Sequence, residues 1–402
     1  MRWLAAIVAS YWMSACAPNN PLRVPRGRVP VSVPDAGTDA AVDMGVGEDM
    51  RADVAPSVPD RGRTDVVSVA VGGLGDWQAC VLFADGTVSC WVSGSKADEV
   101  IAPAAVPGLV GATALAVTAT KGCALIAGGQ VACWENGNGR NGSVVGPTPA
   151  ALVEGIDSAV DLAVGDGHSC VLLGDGTPWC WGSNAQSQLG DGTTTDSATP
   201  LRVGNISWAV SVAVGAYHTC VVRSDRQVLC WGLNNRGQVS GPGTEGIATP
   251  TVVLGVEGAR KVSASGYRSC ALLRSGAVYC WGESYYGARV GGIMVARTAA
   301  PITGLTDAFS LSASWYDACA VVVGGQVACW GANQHGTLGD GTTKGSSEPH
   351  VVKDLTGIVG VSASSNRVCA LSSTGGVACW GARDFTGTTS LTKDLAPVPV
   401  TF

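Results

Sequence analysis

The sequence has little of what enzymes and nucleic-acid binders usually depend on. Its 402 residues include only six lysines and four histidines, and charged residues make up 14% of the chain. No basic run occurs and the net charge is a mild −6, so nothing marks a nucleic-acid surface. The glycine-rich segments are not followed by Gly-Lys-Ser/Thr, so they read as turns rather than phosphate loops. There is no nucleophile elbow and no knuckle of closely spaced cysteines and histidines for zinc. No stretch shows a helical period. These absences argue against an enzyme, and no metal or cofactor is expected.

Glycine and regularly placed cysteine are what the chain does have. Cys170 to Gly182 reads C-V-L-L-G-D-G-T-P-W-C-W-G, and its pattern occurs seven times. Cys80 pairs in this pattern with Cys90, Cys123 with Cys133, Cys170 with Cys180 and Cys220 with Cys230. Cys270 pairs likewise with Cys280, Cys319 with Cys329 and Cys369 with Cys379. Trp91, Trp134, Trp181, Trp231, Trp281, Trp330 and Trp380 each follow the second cysteine. The period is roughly 43 to 50 residues, the range of solenoids and propellers.

Each copy reads as a β-hairpin: a short apolar run, a glycine-rich break and a second run. If Gly174, Asp175 and Gly176 form a three-residue loop, Leu173 faces Thr177 and Cys170 faces Cys180. That loop needs its third residue in the left-handed region, which suits glycine. Gly86, Gly129, Gly276, Gly325 and Gly375 occupy the same place, whereas Arg226 does not conform and leaves its turn type open. Alternation makes the facing cysteines a non-hydrogen-bonded pair, with Cα atoms about 4.5 Å apart. Seven cross-strand disulfides are therefore expected, with free core thiols or metal binding as the rival readings. So regular a set implies an oxidising compartment. The repeated tryptophans are expected to pack between units.

The N-terminus agrees with export. Arg2 precedes an apolar stretch, Trp3 to Trp12, that is too short to span a membrane. Met13-Ser14-Ala15-Cys16 resembles a bacterial lipobox in Ser14, Ala15 and Cys16, with Met13 where leucine is commoner. The resemblance implies a signal peptide over residues 1–15, cleavage before Cys16 and lipidation of its thiol. Ala17 in place of Asp favours an outer-membrane or cell-surface address. An ordinary signal peptide with an incidental cysteine is the alternative. Residues 16–65 form the next segment, with seven prolines and no aromatic residue between 17 and 64. Such a composition cannot bury enough apolar surface to offset ordering, so a disordered tether is expected. Its spaced aspartates do not form a D-x-D-x-D-G calcium loop.

From Val66 to Phe402 each repeat reads as four strands: a Pro-Val strand, a small-residue strand and the hairpin, followed by an exit loop. Val-Ala-Val-Gly-x-x-His168-Ser-Cys-Val-Leu, Asp-Gly-Thr, Trp181-Gly-Ser-Asn and Gln188-Leu-Gly-Asp-Gly-Thr together resemble the RCC1 (regulator of chromosome condensation) repeat. The resemblance implies an all-β, seven-bladed propeller over residues 66–402, matching the seven cysteine pairs. The leftover strand Pro397-Val398-Pro399-Val400 is expected to complete the first blade and close the ring, with Val54 to Val58 as the alternative.

Two positions just before each hairpin vary widely. Three before the first cysteine stand Trp77, Thr120, Gly167, Tyr217, Tyr267, Tyr316 and Asn366; two before it stand Gln78, Lys121, His168, His218, Arg268, Asp317 and Arg367. Trp315 adds a further aromatic. Equivalent places in a ring of blades share one face, and the resemblance implies that such loops contact partners. Trp77, Lys121, His168, Tyr217, His218, Tyr267, Arg268, Trp315, Tyr316, Asp317 and Arg367 are the expected partner-binding residues. Filling of the blade tops is the plainer alternative. The expected function is a monomeric, envelope-anchored binding protein with an unidentified protein partner. Inhibition of a secreted enzyme, known among RCC1-like bacterial propellers, is one outcome of such binding. Guanine-nucleotide exchange, implied by the eukaryotic family, sits poorly with export. A glycan-acting propeller enzyme would need paired carboxylates, and Asp317 shows no evident partner.

Overall fold

The computed structural model describes residues 63–73, 78–92, 103–138, 145–241, 246–283, 289–290, 293–382 and 394–400. The signal segment, Cys16, most of the tether, Val54 to Val58 and Trp77 lie outside them. The described residues form seven antiparallel sheets and no helix. Seven sheets arranged around one axis are the blades of a propeller.

The third blade shows the plan. Its strands run Ala159–Val164, His168–Leu173, Pro178–Gly182 and Ser197–Arg202, in that spatial order. The small-residue strand is innermost, the stapled hairpin forms the middle two, and the Pro-Val strand lies outermost. The expected order is therefore off by one strand. The Pro-Val strand precedes a hairpin in the sequence, yet it pairs with the hairpin before it. Closure changes accordingly. Asp394–Val400 pairs with Val377–Gly381 and completes the seventh blade. The first blade takes its outer strand from Ala104–Ala105. Every blade is thus built from contiguous sequence.

The hairpin follows the expected register. Cys170 pairs with Cys180 and Leu172 with Pro178. The Leu173 N–H donates to Thr177 O at 3.0 Å, and the Gly176 N–H donates to Leu173 O at 2.9 Å. The expected staples are all present, each within its own hairpin. Cys80 is bonded to Cys90, Cys123 to Cys133, Cys170 to Cys180 and Cys220 to Cys230. Cys270 is bonded to Cys280, Cys319 to Cys329 and Cys369 to Cys379. Their Cα atoms lie 4.0–4.1 Å apart. The short separation is that of non-hydrogen-bonded neighbours. With every one of these thiols in a disulfide, neither free core thiols nor metal ligation describes them. Arg226 does not change its turn: it adopts φ 75° and keeps the same bond, to Arg223 O at 2.9 Å.

The core consists of seven wedges between adjacent blades. One wedge joins Cys170, Leu172 and Cys180 of the third blade to Val212, Val221 and Trp231 of the fourth. Trp231 donates its indole N–H to Gln188 O of the preceding exit loop at 2.9 Å, and Trp281 does the same to Gln238 O. Trp380 repeats the bond to Thr337 O at 2.8 Å. The expected inter-blade role of these tryptophans holds, although Trp181 is only half-buried. Exit loops are held by an asparagine: Asn184 Oδ1 accepts the N–H of buried Leu189, and Asn333 Oδ1 that of buried Leu338, both at 2.9 Å.

Blades also join through backbone. The Ala209 N–H donates to Gly176 O at 2.9 Å, and a Cβ at Gly176 would lie 2.5 Å from Trp208 Cα. The seam between the last and first blades is similar. Val66, Val71 and Trp91 share a core cluster with Leu371, Val377 and Cys379, and the Val71 N–H donates to Ser362 Oγ at 3.0 Å. All of these wedges lie within Ser57–Phe402, a compact unit with a complete core of its own.

The innermost strands of all seven blades line a central channel of about 510 Å³. Its two mouths differ. One, the loop face, carries the loops that lead into the hairpins, together with the exit loops. The other, the turn face, carries the hairpin turns and the connections between blades.

Candidate functional site

The structure separates the two variable positions. Residues two before the first cysteine begin the second strand of each blade and point into the wedge. Gln78, His168, His218, Arg268, Asp317 and Arg367 are buried, and Lys121 is half-buried. They therefore do not form the expected contact surface, because the strand start lies under the neighbouring blade. His168 Nε2 is 2.8 Å from Thr219 Oγ1, and His218 Nε2 is 2.8 Å from Ser269 Oγ. Those hydroxyls donate onward to Gln188 O and Gln238 O. The imidazoles must then donate through Nε2–H, which leaves each Nδ1 buried and unpaired. Lys121 Nζ donates to Ser169 Oγ at 3.1 Å in the same fashion.

The described residues three before the cysteine, and Trp315 four before Cys319, stay at the surface. Tyr217 is 41% exposed, and Tyr267, Trp315 and Tyr316 are half-buried. They form one continuous arc on the loop face, across blades four to six. Ring centroids are 5.9 Å apart for Tyr217–Tyr267, 5.4 Å for Tyr267–Trp315 and 6.3 Å for Trp315–Tyr316. The Tyr267–Trp315 contact is edge-to-face, a favourable aromatic geometry. Trp315 also lines the channel. A Cβ on Gly266 would lie 2.6 Å from its ring, so only glycine lets the indole rest on the adjoining blade. Blades two, three and seven carry small or polar residues at the equivalent place instead: Thr120, Gly167 and Asn366.

The loop beneath the arc is tied to buried charge. Ser314 Oγ donates to Asp317 Oδ1, and the Asp317 N–H donates to Ser314 Oγ at 3.1 Å. Arg268 reaches from the fifth blade to Glu283 O at 3.0 Å and Tyr316 O at 3.4 Å. Burial pushes the Asp317 carboxyl up to about 6, against hydrogen bonds from Ser314 and Thr337 and the through-space pull of Arg268. Burial lowers the Arg268 guanidinium. It also lowers the histidines, each to about 3, with the neighbouring His218 and Lys121 charges adding to the effect on His168. Burial raises the Tyr267 phenol, with Tyr217 and Glu283 acting in the same direction.

Sequence reasoning found the arc but missed its supports, Gly266, Ser314 and Arg268's backbone contacts. Gly266 preceding Tyr267 was a visible signal. The rest depends on which blades touch. Among the described residues no group of three or more His, Cys, Asp or Glu is placed to hold a metal.

Comparison with known proteins agrees with this architecture. Models of the regulator of chromosome condensation (RCC1) repeat match residues 159–188, 209–238 and 259–288, and residues 175–222 and 324–371. No curated protein matches the sequence. Among solved structures, Prp20p from Saccharomyces cerevisiae is similar, with 20% identity and a TM-score of 0.62 over 74% of this chain and 80% of that one. Human WBSCR16 is similar with 20% identity and a TM-score of 0.63, over 74% of this chain and 84% of its own. Yeast RCC1 (Prp20) bound to Kap60 is a further neighbour, with 20% identity and a TM-score of 0.62 over 74% and 78%.

Proposed function

Since the chain carries RCC1 repeats folded as a seven-bladed propeller, we propose that it is a non-enzymatic binding protein that takes a protein partner on its loop face. The aromatic arc of Tyr217, Tyr267, Trp315 and Tyr316 carries this reading. Tyr and Trp supply large contact area at small entropic cost and dominate interface hot spots. A structural role would repeat in every blade, as the Cys-Trp tryptophans do; among the described residues the arc occupies only three. Relatives in fold bind macromolecules: the Prp20p structure is described with its binding to Gsp1p and histones, and Kap60 is seen bound to yeast RCC1. The lipobox-like Cys16 and the seven disulfides support export and anchoring at a bacterial envelope, with the propeller monomeric on its tether. Inhibition of a secreted enzyme is one consequence that such binding would have.

The test is capture from periplasmic and culture-supernatant fractions with residues 57–402. Replacing Tyr217, Tyr267, Trp315 and Tyr316 together by Ala should abolish capture of any specific partner while the disulfide-stapled fold persists. Undiminished capture would move the site off the arc and refute this reading.

A further inference from the structure

The opposite mouth of the channel carries a second surface that protein binding at the arc does not use. Val160, Val210, Phe309 and Val359 stand at the same place, second in the innermost strand, and all are exposed at the turn face. Trp208 and Leu254 add to them from the connections between blades, and Trp208 is 70% exposed. Scattered exposed valines need no explanation. Trp208 does. It holds φ 62°, a conformation that three other blades give to glycine at the equivalent place, Gly111, Gly258 and Gly357, while Ser158 and Asp307 stand there in two more without a positive φ. A large residue in the left-handed region is an outlier that points to use rather than to folding. Its backbone is fixed, because its carbonyl accepts the Ser224 N–H at 2.7 Å and its Cα abuts the Gly176 turn. The indole is thus held outward on a rigid base.

The charge around it is distinctive. The chain is net negative at −6. Between residues 202 and 276, however, the turn face presents Arg202, Arg226, Arg260 and Arg274 beyond the paired Arg223 and Asp225, against Glu257 and against Asp307, whose backbone abuts the Gly276 turn. Asp175 of the preceding blade lies near Arg202. An exposed tryptophan beside aliphatic side chains and a local excess of cations is the chemistry of an anionic membrane surface. The described chain also enters the propeller at this mouth, at Arg63, with 62 residues preceding it. We propose that the turn face, centred on Trp208, seats on an anionic lipid bilayer. The loop face and its arc then point away from that surface.

Residues 57–402 should co-sediment with vesicles of phosphatidylcholine and phosphatidylglycerol, but not with phosphatidylcholine alone. Raising the salt should weaken the association. Trp208→Gly restores the residue found in other blades and so preserves the fold. It should lower partitioning roughly tenfold, the effect of exposing most of a buried apolar side chain. Tyr217→Ala should leave it unchanged, which separates this surface from the arc. Failure to bind the anionic vesicles, or equal binding by Trp208→Gly, would overturn the proposal. A dimer in sedimentation velocity that Trp208→Gly dissociates would also overturn it, since a second copy would then cover the face.

Discussion

Acid should weaken this propeller through two histidines rather than through its surface charges. His168 and His218 are fully buried, and burial holds each near 3 instead of 6.5. Their folded values lie below the unfolded one, so the stability they contribute is complete above pH 6.5. It is lost as pH falls toward 3, because the unfolded chain takes up protons that the folded chain refuses. Between pH 7 and 5 this amounts to about 2 kcal/mol for each histidine. Asp317 works the other way. Its folded value of about 6 exceeds the ordinary 3.8, so the folded state gains stability as pH drops from about 6 toward 3.8. At pH 5 that offsets about 1.3 kcal/mol. The net loss from pH 7 to 5 is then about 2.5 kcal/mol, an order-of-magnitude figure. With an unfolding entropy of about 2.1 cal/mol/K per residue over Ser57–Phe402, the thermal midpoint should fall by about 3 to 4 °C. Circular dichroism melts at the two pH values measure it. In a variant carrying both His168→Gln and His218→Gln, each amide can still donate to the facing hydroxyl. Its acid step should vanish or reverse, leaving the carboxyls that burial raises, Asp317, Asp161 and Asp166. An equal fall in wild type and variant would refute the assignment.

Two further predictions concern stability. Trp231→Ala removes a fully buried indole and its bond to Gln188 O. It should destabilise the propeller by about 3–5 kcal/mol in denaturant unfolding, and a change below about 1 kcal/mol would contradict the wedge packing. Arg226→Gly relieves a left-handed non-glycine at φ 75° and should raise the thermal midpoint by the equivalent of about 1 kcal/mol. A lower midpoint would mean that the arginine side chain contributes more than its backbone conformation costs.

The parts of the fold that repeat were readable from sequence, and those that depend on neighbours were not. Cys170, Gly176 and Cys180 specify hairpin, register and staple within thirteen residues, so local chemistry suffices. The strand order did not follow, because a periodic sequence carries no mark of where one blade ends. The pairing of each Pro-Val strand with the hairpin before it, as of Ser197–Arg202 with Pro178–Gly182 and of Asp394–Val400 with Val377–Gly381, settles it. The same limit affected the site. Lys121, His168 and His218 look like variable surface residues in one copy. Their partners sit in the next copy, at Ser169, Thr219 and Ser269. Where the buried residue is Arg268 or Asp317, the facing place holds Ala318 or Val368 instead of a hydroxyl. Variation at this place reflects pairing across wedges, so it mimicked the diversity of a contact surface. The arc escaped that confusion because the tyrosines three before the cysteine, and Trp315 four before it, clear the neighbouring blade.

The contiguity of each blade has a consequence for how the ring can be altered. Among the described residues no strand is shared between the first and last blades, so the joint at Val66 resembles the others. The chain could therefore be opened at another connection, such as residues 203–208, and its present ends joined, without separating any sheet from its strands. Whole repeats could likewise be gained or lost as units, each bringing its own disulfide and exit loop. What such an exchange must preserve is the wedge geometry that lets the last blade meet the first. The ring's size is thus fixed by the angle between neighbours.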